Sequence, residues 1–309
     1  MKGTRFITEG AMLLAILVGL LLFSLYIPII GQLFMLSLAV PFIIFTVRHG
    51  VKKSVVFFIV SLLLGLLFGR VVALPTVFAF GVSGVFMGYL YSQQKNRYVT
   101  LLGGTVAFSI NLLLLYVVVN VLFKIDLMQL MEQTLNESME MSKNTLEMMG
   151  QTANEQQVQQ LEQAVDIIKY MFPSIIVMMS FVFAFFTQLI ATPILKRLQY
   201  KVEKFPPFHE LKLPKSILWY YLLVLILSFF DLQTGSFLFI AVVNLLMVLQ
   251  TLILIQGYSF IFYFCRQKGY SKAIAIMVVV LSIIPIVLQF VRILGIIDLG
   301  FDLRKKQQK

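Results

Sequence analysis

The chain has 309 residues, 60% of them hydrophobic and 13% charged, with a mean hydropathy of +0.92. Soluble domains carry about 25% charged residues, so a water-soluble enzyme is excluded and the class is an all-α, polytopic membrane helix bundle. The net charge of +11 lies between apolar runs, where Lys and Arg set orientation and meet anionic headgroups, so it does not point to nucleic acid.

Nine apolar runs follow one another, at 11–30, 33–47, 54–69, 71–91, 99–123, 171–195, 216–230, 236–264 and 273–297. The first is too long for a signal-peptide core and stays as a helix. The run 33–47 reaches only about 22 Å against a hydrocarbon core of about 30 Å, and Pro41 weakens it further, so it must thin the bilayer or pack inside the bundle. With the N-terminus in the cytoplasm, 16 of the 25 basic residues fall in cytoplasmic segments. Nine crossings put the basic tail of Arg304, Lys305, Lys306 and Lys309 outside. In the rival count 216–233 is re-entrant, leaving eight crossings and an internal tail.

Residues 124–170 read as an extracytoplasmic hairpin inserted in the membrane core of 1–200, and 201–309 as further membrane helices with the basic tail. From Lys124 to Lys169 there is no aromatic residue, and eight of the 14 acids stand against three lysines, giving −5 here and +16 elsewhere. Met128, Met131, Leu135, Met139, Leu146 and Met149 recur at amphipathic-helix spacing, as do Val158, Leu161, Val165 and Ile168, with Gly150 and Asn154 between the two stretches. The hairpin is either a solvated extension of the membrane helices or a lid over an external pocket.

On the first helix Ala11, Ala15 and Gly19 share one face, the spacing that lets another helix approach closely. Gly65 with Gly69, and Gly84 with Gly88, repeat that spacing. The opening Thr8-Glu9-Gly10-Ala11, then Tyr26-Ile27-Pro28-Ile29-Ile30-Gly31 and the basic turn Arg48-His49-Gly50-Val51-Lys52-Lys53, resembles the start of an S-component of an energy-coupling-factor transporter. Over its whole length, including the ending from Gly295 to Arg304, the chain resembles the YybS-like family of uncharacterised bacterial multi-pass membrane proteins, whose core is similar to S-components. That likeness covers roughly residues 8–200. It implies that Ala11 and Ala15 dock on a transmembrane coupling subunit served by ATPases, and that a vitamin-like small molecule, or in other relatives a metal ion, binds from outside. The hairpin and the spans after residue 215 depart from the S-component plan, and the similar core of MreD-type proteins serves cell-shape scaffolds.

Arg70, Tyr116 and Asn120 in the outer half, with Asn111 and Gln188 deeper, are the ligand-contact candidates. Arg70 also reads as a snorkelling helix-end residue, and Asn111, Gln188, Asn244, Gln250 and Gln256 as interhelical hydrogen bonds. Arg292 lies deeper than Arg70, and pairing with Asp231 or Asp298 would keep it ionised near the interface. Trp219, Tyr220 and Tyr221 read as an interfacial anchor. His49, His209 and Cys265 stand without motif partners, so no catalytic residue, metal or cofactor is expected. A multi-pass protein of the bacterial inner membrane is therefore expected, surrounded by lipid. Its function is either a small-molecule binding or transport subunit energised by partners or a non-transporting envelope scaffold or regulator.

Overall fold

The computed structural model describes residues 2–124, 126–148, 167–203 and 205–306, and these form helices and turns without a strand. Six of the described helices are long and apolar enough to cross a membrane: Phe6–Tyr26, Gly31–His49, Val51–Ser92, Arg97–Val121, Phe172–Arg197 and Phe237–Gln267. The chain divides into two compact units, one within residues 1–142 and 175–204, the other within 143–174 and 205–309.

The first unit opens with α1 (Lys2–Tyr26), which packs on the helices of residues 39–49 and 51–92 and buries Leu13, Leu17 and Leu21. The short run resolves into α2 (Gly31–Met35) and α3 (Ala39–His49). Residues 39–46 are all buried, so this weak pass is carried by protein contacts on every side. Helix α4 (Val51–Ser92) is nominally 42 residues, about 63 Å if straight. Its backbone breaks at Arg70 (φ 57, ψ −166), and the chain there turns back on itself. Phe58 meets Phe78 with ring centroids 5.9 Å apart, and a Cβ on Gly65 would lie 3.0 Å from Val77. The runs 54–69 and 71–91 are thus the two arms of a tight hairpin.

Small residues set the contacts of that hairpin. A Cβ on Gly84 would fall 2.7 Å from the Ala39 carbonyl oxygen, and one on Gly88 would fall 3.0 Å from that of Ile43, so α3 lies directly on the second arm. Helices α5 (Arg97–Phe123) and α7 (Phe172–Arg197) complete the unit. Phe80, Phe108 and Phe183 meet in its middle with centroids 5.2–5.7 Å apart. Tilted and edge-on rings at such separations add about 0.5–1.5 kcal/mol per pair beyond the area they bury. With the α4 arms counted separately, the described part of this unit makes six apolar passes.

Helix α6 (Leu127–Met148) is the first half of the expected hairpin. The Asp126 carboxylate caps it, accepting from the amides of Met128 and Gln129 at 3.0 and 3.1 Å. Met128, Met131, Leu135 and Met139 line its half-buried side, as their spacing indicates. The expected second helix around Val158, Leu161 and Val165, with Gly150 and Asn154 before it, lies outside the described residues.

The second unit contains a 3-10 turn (Phe208–Glu210), α8 (Ser216–Leu227), α9 (Phe237–Gln267), α10 (Lys272–Leu281), α11 (Pro285–Phe301) and α12 (Leu303–Lys306). Tyr221, Val224, Val242, Leu249, Ile253 and Leu299 form its core. Trp219 and Tyr220 are exposed while Tyr221 is buried, so two of the three anchor aromatics face outward. Helices α9 and α11 cross backbone to backbone, because a Cβ on Gly257 would lie 2.1 Å from the Val291 carbonyl oxygen and one on Gly295 would lie 2.2 Å from that of Ile253.

The last apolar run departs from the sequence reading. It is interrupted at 282–284, where Ser282 hydrogen bonds with Tyr258 at 2.5 Å. Leu288 and Arg292 lie beside residues 243–254, and Arg304 lies beside Tyr263 and Arg266, so α11 runs in the same direction as α9. Run 273–297 therefore enters and returns, bringing the tail to the end that holds residues 208–212 and 266. The single crossing expected here, with the tail at the opposite end, is corrected: the chain turns back at 282–284, and 216–233 is not the re-entrant piece.

Candidate functional site

Helix α1 presents the one face on which the sequence placed a partner. Ala11 and Ala15 are exposed, and nothing lies within 4 Å of where a Gly19 Cβ would be, while Leu13, Leu17 and Leu21 on the opposite side are buried. Two features hold that face in a fixed attitude. The Glu9 carboxylate pairs with the Arg48 guanidinium at 3.1 Å and with His49 Nε2 at 3.0 Å, tying α1 to the end of α3. Phe6 packs edge-on to His49 at 5.2 Å and carries the Lys53 ammonium over its ring at 5.0 Å. The result is a smooth apolar strip of small side chains flanked by exposed Met12, Ile16 and Phe23 on a clamped helix. A second helix could approach it with little side-chain reorganisation.

The ligand-contact candidates are not brought together. Arg70 is exposed at the hairpin turn. Asn111 is buried and donates from Nδ2 to the Ser83 hydroxyl at 2.9 Å, an interhelical bond between α5 and α4. Gln188 is buried and donates to the Arg97 carbonyl at 3.0 Å, which sets it at the start of α5. Tyr116 and Asn120 are half-buried toward the other end of α5, about 29 and 35 Å along the helix from Arg97. The five residues therefore span the length of the unit, and the phenyl rings of Phe80, Phe108 and Phe183 occupy its middle.

In the second unit the expected Arg292–Asp298 pair does not form. Six residues on a continuous helix separate side chains by about 600° of rotation and 9 Å of rise, so the two point in different directions. Asp302 instead ends α11 in the left-handed region (φ 53), and the chain folds back so that Arg304 reaches Asp298. The Asp298 carboxylate is fully buried. It accepts hydrogen bonds from Arg304 Nε at 3.0 Å and Gln256 Nε2 at 2.5 Å, and Arg304 Nη2 stands in ion-pair contact at 2.9 Å. Arg304 also donates to the His209 carbonyl at 2.9 Å and the Ser259 hydroxyl at 3.1 Å, while Gln256 accepts from the Leu213 amide at 2.9 Å. Lys212 pairs with Asp302, and His209 contacts Arg266. Asp231 is exposed in the loop before α9.

Sequence reasoning missed this knot because Arg304 was counted with the basic tail, external or internal, and not as a partner of Asp298. The available signal was its spacing from Asp298, which equals that of Arg292 but has a helix end in between. Asn244 and Gln256 do make the tertiary hydrogen bonds expected of them, Asn244 accepting from the Ser174 amide at 2.8 Å and donating to the Tyr170 carbonyl at 2.7 Å.

Residues 15–299 match a family described as "Predicted membrane protein (DUF2232)". A protein of Bacillus subtilis (strain 168) whose name reads "Uncharacterized protein YybS" is 32% identical over 308 residues, covering 99% of each chain. No solved structure matches.

Proposed function

The chain belongs to the DUF2232 family of predicted membrane proteins, and from that premise we propose that it is a bacterial inner-membrane subunit whose α1 face docks on a partner membrane protein. The observation that carries this reading is the outward strip of Ala11, Ala15 and Gly19 on a helix clamped by Glu9. Small residues facing outward in a bilayer give close helix contact, whereas a helix exposed only to lipid gains nothing from them. The N-terminus lies in the cytoplasm, supported by the 16 basic residues of the segments on that side.

The docked subunit acts as a non-transporting scaffold or regulator. In support, phenyl rings fill the middle of the first unit and its polar candidates are dispersed. A second reading, small-molecule capture energised by a coupling subunit and ATPases, is favoured by the match of Ala11 and Ala15 to the S-component docking motif and by the six passes of the first unit.

The test is Ala15→Trp in the tagged full chain, with Val56→Trp on an exposed face of α4 as control. Quantitative mass spectrometry of co-purified membrane proteins should show a partner lost with Ala15→Trp and kept with Val56→Trp. Unchanged recovery with Ala15→Trp would end the docking reading. Recovery of ATPases together with a retained small molecule selects transport, and their absence beside a retained membrane partner selects the scaffold.

A further inference from the structure

Arg292 is a half-buried cation part-way along α11 in the second unit. Among the described residues no carboxylate lies within ion-pair distance of it. Its Nη1 donates to Gln289 at 3.1 Å, while its Nε is shielded from solvent and has no acceptor. Beside it is a cleft of about 370 Å³, within the size range of small-ligand sites, roughly 300–1,000 Å³. Met171, Met247, Leu254 and Leu288 form its apolar wall, and Gln250 and Thr251 its polar part. The Thr251 hydroxyl is already committed to the Met247 carbonyl at 2.9 Å, whereas the Gln250 amide makes no hydrogen bond among the described residues. Gln250 lies about 20 Å along α9 from Phe237 and about 26 Å from Gln267, so the cleft is far from either end of that helix.

An arginine at such a position is costly unless an anion meets it, and ionisable groups within membrane segments mark ligand sites by default. The guanidinium offers an uncommitted N–H pair, and Gln250 offers an amide N–H beside it. Both suit the oxygens of one carboxylate or phosphate. The walls are thioether and aliphatic, which a small hydrated anion would not use but an alkyl chain would. The geometry points to a binding site for a single-chain anionic amphiphile, its oxyanion on Arg292 and Gln250 and its chain along Met171, Met247 and Leu254. The site lies within the second unit and is independent of docking through α1.

The experiment uses the full chain in phosphatidylcholine nanodiscs, with radiolabelled oleate and lysophosphatidic acid as probes and empty discs as background. Oleyl alcohol carries the chain without the charge. Acetate and inorganic phosphate serve as chainless competitors. Arg292→Met should weaken binding of the charged probes about tenfold or more, the scale of a lost charge-assisted hydrogen bond, and Arg292→Lys should retain part of it. Val243→Trp, which fills the cleft while keeping the charge, should also weaken binding; circular dichroism checks that each variant is folded. Preference for oleate assigns a carboxylate headgroup and preference for lysophosphatidic acid a phosphate headgroup, and either supports the site. Equal binding by wild type and Arg292→Met, equal binding of oleyl alcohol, or displacement by acetate or phosphate alone would overturn it.

Discussion

Replacing Arg304 by Met should destabilise the second unit far more than an exposed tail residue could. In the native chain the Asp298 carboxylate has no exposure, takes one hydrogen bond and an ion-pair contact from Arg304 and one hydrogen bond from Gln256, while its Oδ1 already has no partner among the described residues. Arg304→Met leaves that carboxylate buried with only a neutral amide. Breaking a buried pair from one side costs about 3–5 kcal/mol. The His209 carbonyl also loses its donor, about 1 kcal/mol, whereas the Ser259 hydroxyl keeps its bonds to the Phe208 and Leu211 carbonyls at 2.8 Å each. The expected loss is therefore about 5 kcal/mol, a few thousandfold in the unfolding equilibrium. Unfolding in mixed micelles of rising dodecyl sulfate fraction, followed by circular dichroism, reads it. Adding Asp298→Asn should recover about half, because the stranded charge and not the missing methylene contacts is the source of the loss. A single variant within about 1 kcal/mol of wild type, or a double variant no more stable than the single, would refute the buried knot.

Two further outcomes are expected. Gly295→Ala puts a methyl 2.2 Å from the Ile253 carbonyl oxygen, so α9 and α11 must separate, at a cost of about 1–3 kcal/mol in the same assay; Gly19→Ala meets nothing and should raise stability by about 0.5–1 kcal/mol. Equal effects at the two glycines would contradict the crossing. In a Cys265→Ser background, a cysteine at Lys268 and a reporter fused after Lys309 should report the same side of the membrane, since the tail returns beside residues 208–212 and 266. Opposite sides would restore a single crossing by run 273–297.

The apolar runs were legible because each pass through lipid must satisfy its backbone internally, which writes a continuous hydrophobic stretch into the chain. The acidic amphipathic stretch at 127–148 was legible for the converse reason, its three-and-four spacing marking a helix with one wet side. Less legible was what the glycines do. Gly84 and Gly88 seat α3 on α4, Gly257 and Gly295 carry a backbone crossing, and Gly19 faces open space, yet spacing alone presents them alike. Legibility was poorest for the charged residues. Arg292, Asp298 and Arg304 stand at equal intervals, and only the left-handed turn at Asp302 decides that Asp298 takes the later arginine.

The sequence by itself determined that this is a basic helical membrane protein with an acidic insertion near its middle, because composition and hydrophobic runs follow from the solvent the chain must occupy. It also marked Ala11, Ala15 and Gly19 as one face of a helix, since helical periodicity is local. Tertiary structure alone decided that this face points outward, that the ligand candidates are scattered, that the last run turns back, and that the +11 charge includes an Arg304 buried against Asp298. Those outcomes depend on reversals at Arg70, 282–284 and Asp302, and a reversal of one or two residues leaves almost no trace in an apolar pattern while changing which side chains meet.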